Sequence, residues 1–261
     1  MKKLNFTFTT RLTFDNYVHD HSFALRCMPI EAENQHIISC ELDISPFVTT
    51  KQTVDAFGNN VTSGYLKGEH RFLDYEIRGV AEIDNSLHRT DYMPCYLYQS
   101  SYTKPSAEIA GFYKSISADC NYTTPYDRAA YFSARLSEIM RYEKDTTDTH
   151  TTAAQAYEQR CGVCQDFSHI MLSILRIDGI ACRYIAGLAC CDGETHSWIE
   201  LWTGDCWTGF DPTNNCDVND DYLALSQGRD FSDCAIDRGV MFGAYTRQLQ
   251  LISSQLLTSL Y

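Results

Sequence analysis

Residues 5–14, NFTFTTRLTF, alternate: Phe6, Phe8, Leu12 and Phe14 are apolar, while Asn5, Thr7, Thr9, Arg11 and Thr13 are polar. Successive side chains of a strand point to opposite faces, so this period buries one face of a sheet and cannot make one face of a helix. The same spacing returns in Ile38, Cys40, Leu42 and Ile44, and again in Leu73, Tyr75, Ile77, Ala81 and Ile83. DAFGNN at 55–60 supplies the Gly and Asn that a turn between strands needs. Residues 1–88 are therefore expected to form an antiparallel β-sandwich domain.

The pattern changes beyond that point. Residues 89–110 contain Pro94, Pro105 and several tyrosines without a clear period, and read as an ordered connection. In DRAAYFSARLSEIMRYEKD, Ala129, Phe132, Leu136, Ile139 and Met140 fall three and four residues apart, with Asp127 a suitable N-cap, which predicts a helix. A second helix follows Cys164, with Phe167, Ile170, Met171, Ile174 and Leu175 on one face and Gly179 placed to end it. CRYIAGLA, THSWIELWT and CWTGFDPT then read as three strands in succession. QLQLISSQLLTSLY, at the end, fits a strand or a helix equally. The fold class is α+β, with residues 111–261 as the second domain.

A net charge of −13 and an isoelectric point near 4.9 disfavour nucleic acid and anionic membranes as partners, since phosphate neutralisation needs clustered Lys and Arg. MKKLNFTFTT alternates where a secretory signal would be continuously apolar, and no stretch approaches the roughly 18 apolar residues of a membrane span. The expected location is the cytoplasm. There the twelve cysteines stay reduced, most of them as small buried hydrophobes. No cofactor is expected.

The chemistry centres on EQRCGVCQDFSHI. Cys164 stands at the first turn of its helix, where unpaired N–H groups and the dipole favour an anion, so its thiol should ionise readily. The same N–H groups could hold the oxyanion of a tetrahedral intermediate. Taken alone, Cys164 could equally be a buried core cysteine. His196 opens the strand HSWIEL, and Asp211 ends GFD fifteen residues later, so two adjacent antiparallel strands can bring them together. Thiolate, imidazole and carboxylate are the three roles of nucleophilic acyl transfer.

GVCQDFSHIMLSILRIDGIACRYIAG, HSWIELW, WTGFDPTN and GRDFSDCAIDRGVMFG together resemble the core motifs of the transglutaminase-like superfamily, in the bacterial group that adds an N-terminal β domain. DAFGNN resembles that group's N-terminal module. The resemblance implies a papain-like core at 111–261, with the catalytic Cys, His and Asp of the family at Cys164, His196 and Asp211. It also implies attack of a thiolate on an amide. Family members pass the acyl group to an amine, as transglutaminases do, or to water, as proteases and peptide:N-glycanases do.

One departure is Cys161, which makes Cys161-Gly-Val-Cys164 a Cys-x-x-Cys; with Cys190 and Cys191 it could serve zinc or redox chemistry. Neither explains Asp211 and the His-Ser-Trp strand, although a Cys161–Cys164 bridge could silence the nucleophile. Gln159, Gln165 and Tyr142 are candidate oxyanion donors among which sequence cannot choose. His169 lies about 140° around the helix from Cys164 and should face away from the thiol. Asp166 should complement the helix dipole, and Arg229 and Asp230 should form an ion pair or loop anchor. The expected enzyme is a cysteine-dependent amide hydrolase or acyl transferase working through a thioester on a peptide or protein, with hydrolysis the first choice. The rivals are a non-catalytic scaffold of the same fold and a Cys-x-x-Cys zinc or redox protein.

Overall fold

The computed structural model describes residues 1–189 and 194–258. The N-terminal strands are β1 (Lys2–Leu25), β2 (Gln35–Ser45), β3 (Thr50–Val54), β4 (Asn60–Leu66) and β5 (His70–Ile83). On one side β1 pairs with β5 along its first half and with β4 along its second. The segments Asp237–Gly243 and Gln248–Thr258 run antiparallel along its other side.

β1 changes phase part-way. Its buried residues are even-numbered through Phe14 and Val18, then odd-numbered at His21, Phe23 and Leu25. Register shifts fall between Thr13 and Val18 and between His19 and Ser22, where irregular pairing lets the strand bend and exchange faces. The sheet thus folds at a crease into two leaves of a half-barrel, and Phe6, Phe8 and Phe14 share one apolar core with Phe23 and Leu25. This corrects the expected sandwich of two sheets: β1 is continuous through both leaves. Another shift, between Ile37 and Ser39, turns Ile38 outward, 45% exposed, and puts Ile37 against the core in its place.

The second half contains α1 (Ala107–Ala118), α2 (Pro125–Ser137), β6 (Arg141–Tyr142), α3 (Ala153–Gln159), β7 (Cys161–Gly162), α4 (Cys164–Ile177), β8 (Cys182–Ala189), β9 (His196–Trp202), β10 (Trp207–Asp211), β11 (Cys216–Asp217), β12 (Tyr222–Gly228) and α5 (Phe231–Cys234). The segments 237–243 and 248–258 are β13 and β14. An antiparallel sheet in the order β11-β10-β9-β8-β12 packs against α4, whose Ile170, Met171 and Ile174 are fully buried. Gly179, at φ +79°, follows the end of α4 as expected. α2 begins earlier than expected. Thr124 is its N-cap and Pro125 its first residue, so Asp127 lies inside the first turn, where its N–H donates to the Thr124 hydroxyl.

Two features join the halves. Leu188 of β8 and Leu223 and Leu225 of β12 belong to the half-barrel's core. The buried amides of Gln35 and Asn59 each make reciprocal bonds to the β12 backbone, at 2.8 Å to Ala224 and at 2.7–2.8 Å to Gln227. Residues 237–258, expected in the core segment 111–261, complete the N-terminal sheet. A strand's pattern shows which face it buries but not which sheet it joins. Among the described residues no helix is long and apolar enough to cross a membrane.

Candidate active site

Cys164 is the first residue of α4, after Val163 in extended conformation. The Asp166 carboxylate accepts from the Val163 N–H at 2.8 Å and from the Thr147 hydroxyl at 2.7 Å, which fixes the turn that presents the thiol. Asp166 thus caps a backbone donor at the positive end of the helix. Burial pushes the Cys164 thiol up, but the hydrogen bond and charge of His196 and the hydrogen bonds of Ser197 outweigh it, so the thiol lies below its ordinary value.

His196 begins β9 and Asp211 ends the adjacent β10. Nε2 of His196 lies 2.7 Å from Oδ2 of the fully buried Asp211, which leaves Nδ1 to meet the thiol. Burial works against the imidazolium, yet hydrogen bonds to Asp211 and Cys164, with their charges, raise His196 to about 10. Burial also pushes Asp211 up, but hydrogen bonds from His196 and Asn214, with the imidazolium charge, hold it below the usual carboxylate range.

Asp211 is held from several sides. Oδ1 accepts from the N–H groups of Thr213 at 2.9 Å and Asn214 at 3.2 Å. Oδ2 also accepts from Asn214 Nδ2 at 2.7 Å and from the Tyr222 hydroxyl at 2.9 Å. Trp198 stacks near the imidazole, with ring centres 6.4 Å apart at 27°. Gly187 on β8 makes room for that indole: a Cβ there would sit 2.5 Å from the ring and 2.2 Å from the Leu223 carbonyl oxygen.

The thiol opens into a cleft of about 1250 Å³. Val163, Gln165 and Tyr184 line it from the core side, and Ser22, Ala24 and Val240 from the half-barrel. Cys164, His196 and Asp211 are thus brought together as their sequence context implied. Tyr142 and Gln165 line the cleft, whereas Gln159 is exposed at the end of α3 and outside the lining. His169 is fully buried beside Tyr102 and Tyr184, and its Nε2 accepts from the Phe231 N–H at 3.1 Å. Arg229 pairs with Asp233 at 2.8 Å, and Asp230 caps α5 by accepting from the Ser232 N–H. Cys161 is buried in β7, and Cys190 and Cys191 lie outside the described residues. Among the described residues, no three His, Cys, Asp or Glu side chains converge as a metal-binding group.

Sequence reasoning missed Ser197, Asn214 and Tyr222. Asn214 carried a signal, since Asp-x-x-Asn after a strand is a pattern in which side chains bond to nearby backbone. Ser197 and Tyr222 carried none.

Residues 114–212, which contain all three side chains, match the model of the transglutaminase-like superfamily, and residues 4–82 match that of the bacterial transglutaminase-like N-terminal region. The chain belongs to the transglutaminase-like superfamily. An uncharacterized protein of Mycobacterium leprae is 27% identical over 252 residues, spanning 87% of this chain and 88% of its own. One from Mycobacterium tuberculosis is 29% identical over 126 residues, 42% of this chain and 40% of that one. The crystal structure of a candidate cysteine protease from Cytophaga hutchinsonii superposes with a TM-score of 0.81 at 17% identity, covering 98% of this chain and 90% of that one. At that identity the likeness is one of fold, and it extends across both halves of this transglutaminase-like chain.

Proposed function

We propose that this protein is a cysteine-dependent amide hydrolase that acts on peptide or protein amides through a thioester on Cys164. The reading rests on one observation above all: the His196 ring bonds Asp211 through Nε2 and interacts with the Cys164 thiol, at the floor of an open cleft. A thiolate–imidazolium pair formed there has its nucleophile and its acid ready together. Cys164 Sγ attacks the carbonyl carbon, and the oxyanion is met by the Cys164 N–H at the helix terminus with Tyr142 or Gln165 as the second donor. The C–N bond breaks as His196 gives its proton to the departing amine. Water then attacks the thioester, neutral His196 takes its proton, and the thiolate leaves. Asp211 keeps the ring oriented throughout. A cleft of about 1250 Å³ exceeds the roughly 300–1,000 Å³ that suits a small molecule, which favours a peptide segment.

The test is intact-mass spectrometry after incubation with a panel of peptide amides and activated peptide esters. The expected result is an acyl adduct on Cys164 that decays in water, with turnover lost by about 10³-fold or more in Cys164→Ala. A dansylated alkylamine added to the reaction reports transfer instead of hydrolysis if it becomes attached to the acyl product. Full turnover by Cys164→Ala would remove the proposal, and a panel that leaves no adduct and no product would favour a scaffold.

A further inference from the structure

We propose that Tyr222 is a positioning residue for the proposed reaction: by donating its hydroxyl to Asp211 it takes up part of the carboxylate's charge and so sets how tightly Asp211 holds the His196 imidazolium. The inference rests on the proposed role of Cys164 and His196 and concerns a side chain outside the Cys164, His196 and Asp211 trio. Three donors converge on Oδ2 of Asp211, namely His196 Nε2 at 2.7 Å, Asn214 Nδ2 at 2.7 Å and Tyr222 Oη at 2.9 Å. With two backbone N–H groups on Oδ1, the carboxylate meets five donors at its roughly four lone-pair positions. Donors that share one acceptor compete, so each bond weakens the others. Asn214 follows Asp211 by three residues and belongs to the same turn. Tyr222 comes from β12, at the far edge of the sheet, and its bond ties that strand to the site.

The ring of Tyr222 is also placed to act. It packs edge-on to Trp198 with centres 5.2 Å apart, and lies 6.1 Å from the His196 ring, so the hydroxyl's approach to Asp211 is fixed by packing. The titratable groups facing the pair are Cys164 from α4, Tyr222 from β12 and Cys216 from β11, whose Sγ lies 3.8 Å from the Tyr222 oxygen. Asp217, next to Cys216, bonds Tyr126 instead.

The experiment is the pH dependence of Cys164 alkylation by iodoacetamide, read peptide by peptide in the mass spectrometer, which needs no substrate. The profile of a thiolate–imidazolium pair has two inflections, one for formation of the pair and one where the imidazolium loses its proton. Tyr222→Phe keeps the ring and removes the donor, so Asp211 should hold the imidazolium more tightly and the upper inflection should move up by about half a pH unit or more. Replacement of Tyr222 by 3,5-difluorotyrosine, a stronger donor of the same shape, should move it down, and it decides the matter if Tyr222→Phe does not fold. Cys216→Ser should leave it in place. An upper inflection that Tyr222→Phe leaves unmoved or lowers, or that the fluorinated residue does not lower, overturns the role of Tyr222 alone. A Cys164 that alkylates no faster than the other thiols at neutral pH would instead remove the reading on which it rests.

Discussion

At Asp211 a fully buried carboxylate stays charged because five hydrogen bonds, one of them from the His196 imidazolium, replace the water it has lost. Asp211→Asn keeps the shape and removes the charge, and its amide nitrogen then faces donors. Without that charge His196 should fall from about 10 toward its ordinary 6.5, and the upper inflection of Cys164 alkylation should move down by more than a pH unit. Urea melts of the same variant should show a loss of about 1–3 kcal/mol, since buried donors are left without an acceptor. Ser197→Ala should act on the other partner: with one hydrogen bond to the thiolate gone, the lower inflection should rise. Cys164, His196 and Asp211 were legible in the sequence because each is a reactive type at a position of special geometry, a helix start or a strand end. Ser197 and Tyr222 were not, because a strand hydroxyl looks like any other strand residue.

Among the elements at the site, β8 and β9 are tightly constrained. The space Gly187 leaves for Trp198 is bounded on its other side by backbone, which cannot give. Gly187→Ala should therefore cost about 1–3 kcal/mol in a thermal or urea melt, and should slow Cys164 alkylation by pushing Trp198 toward His196. An unchanged melt would mean that the strands are not so closely packed. Gly162→Ala makes a parallel case, since its Cβ would lie 2.4 Å from the Asp166 carboxylate that caps α4. α2 and α4 were readable from their periods and the three strands after α4 from their β-branched and aromatic content, whereas α1, whose first residues fell in the expected connection, and α3 were not expected. β14 was not readable, because Leu249, Leu251 and Leu257 lie on its outward face, 46–60% exposed, while Leu256 and Ser254 are buried on the inward one. Apolar residues on both faces erase the alternation that marks a half-buried strand.

In the whole molecule, the end of the chain returns to its beginning. β14 pairs with β1 from Leu4 to Phe14, and the half-barrel is fastened to β12 through Gln35 and Asn59. Residues 111–261 expressed alone should therefore lack cooperative unfolding, and the full chain should melt in a single transition by circular dichroism and by tryptophan fluorescence. Two separated transitions would contradict the shared core of Leu188, Leu223 and Leu225. The sequence showed two halves because its hydrophobic period changes near residue 88. It could not show that they fold as one, because long-range strand pairing leaves no local mark. The arrangement also bears on function: the half-barrel supplies one wall of the cleft, so its removal should expose the thiol as well as unfold the sheet.

The most direct measurement is the rate of iodoacetamide reaction at each cysteine of the native chain between pH 5 and 11. Cys40, half-buried and raised by burial to about 11, serves as the internal reference. Cys164 should react rapidly at pH 7 and show its upper inflection near pH 10, where His196 loses its proton, while Cys40 stays slow until the solution is strongly alkaline. A Cys164 that stays inert at pH 7 and gains reactivity only above pH 9, in step with Cys40, would mean that the sulfur has no imidazolium beside it.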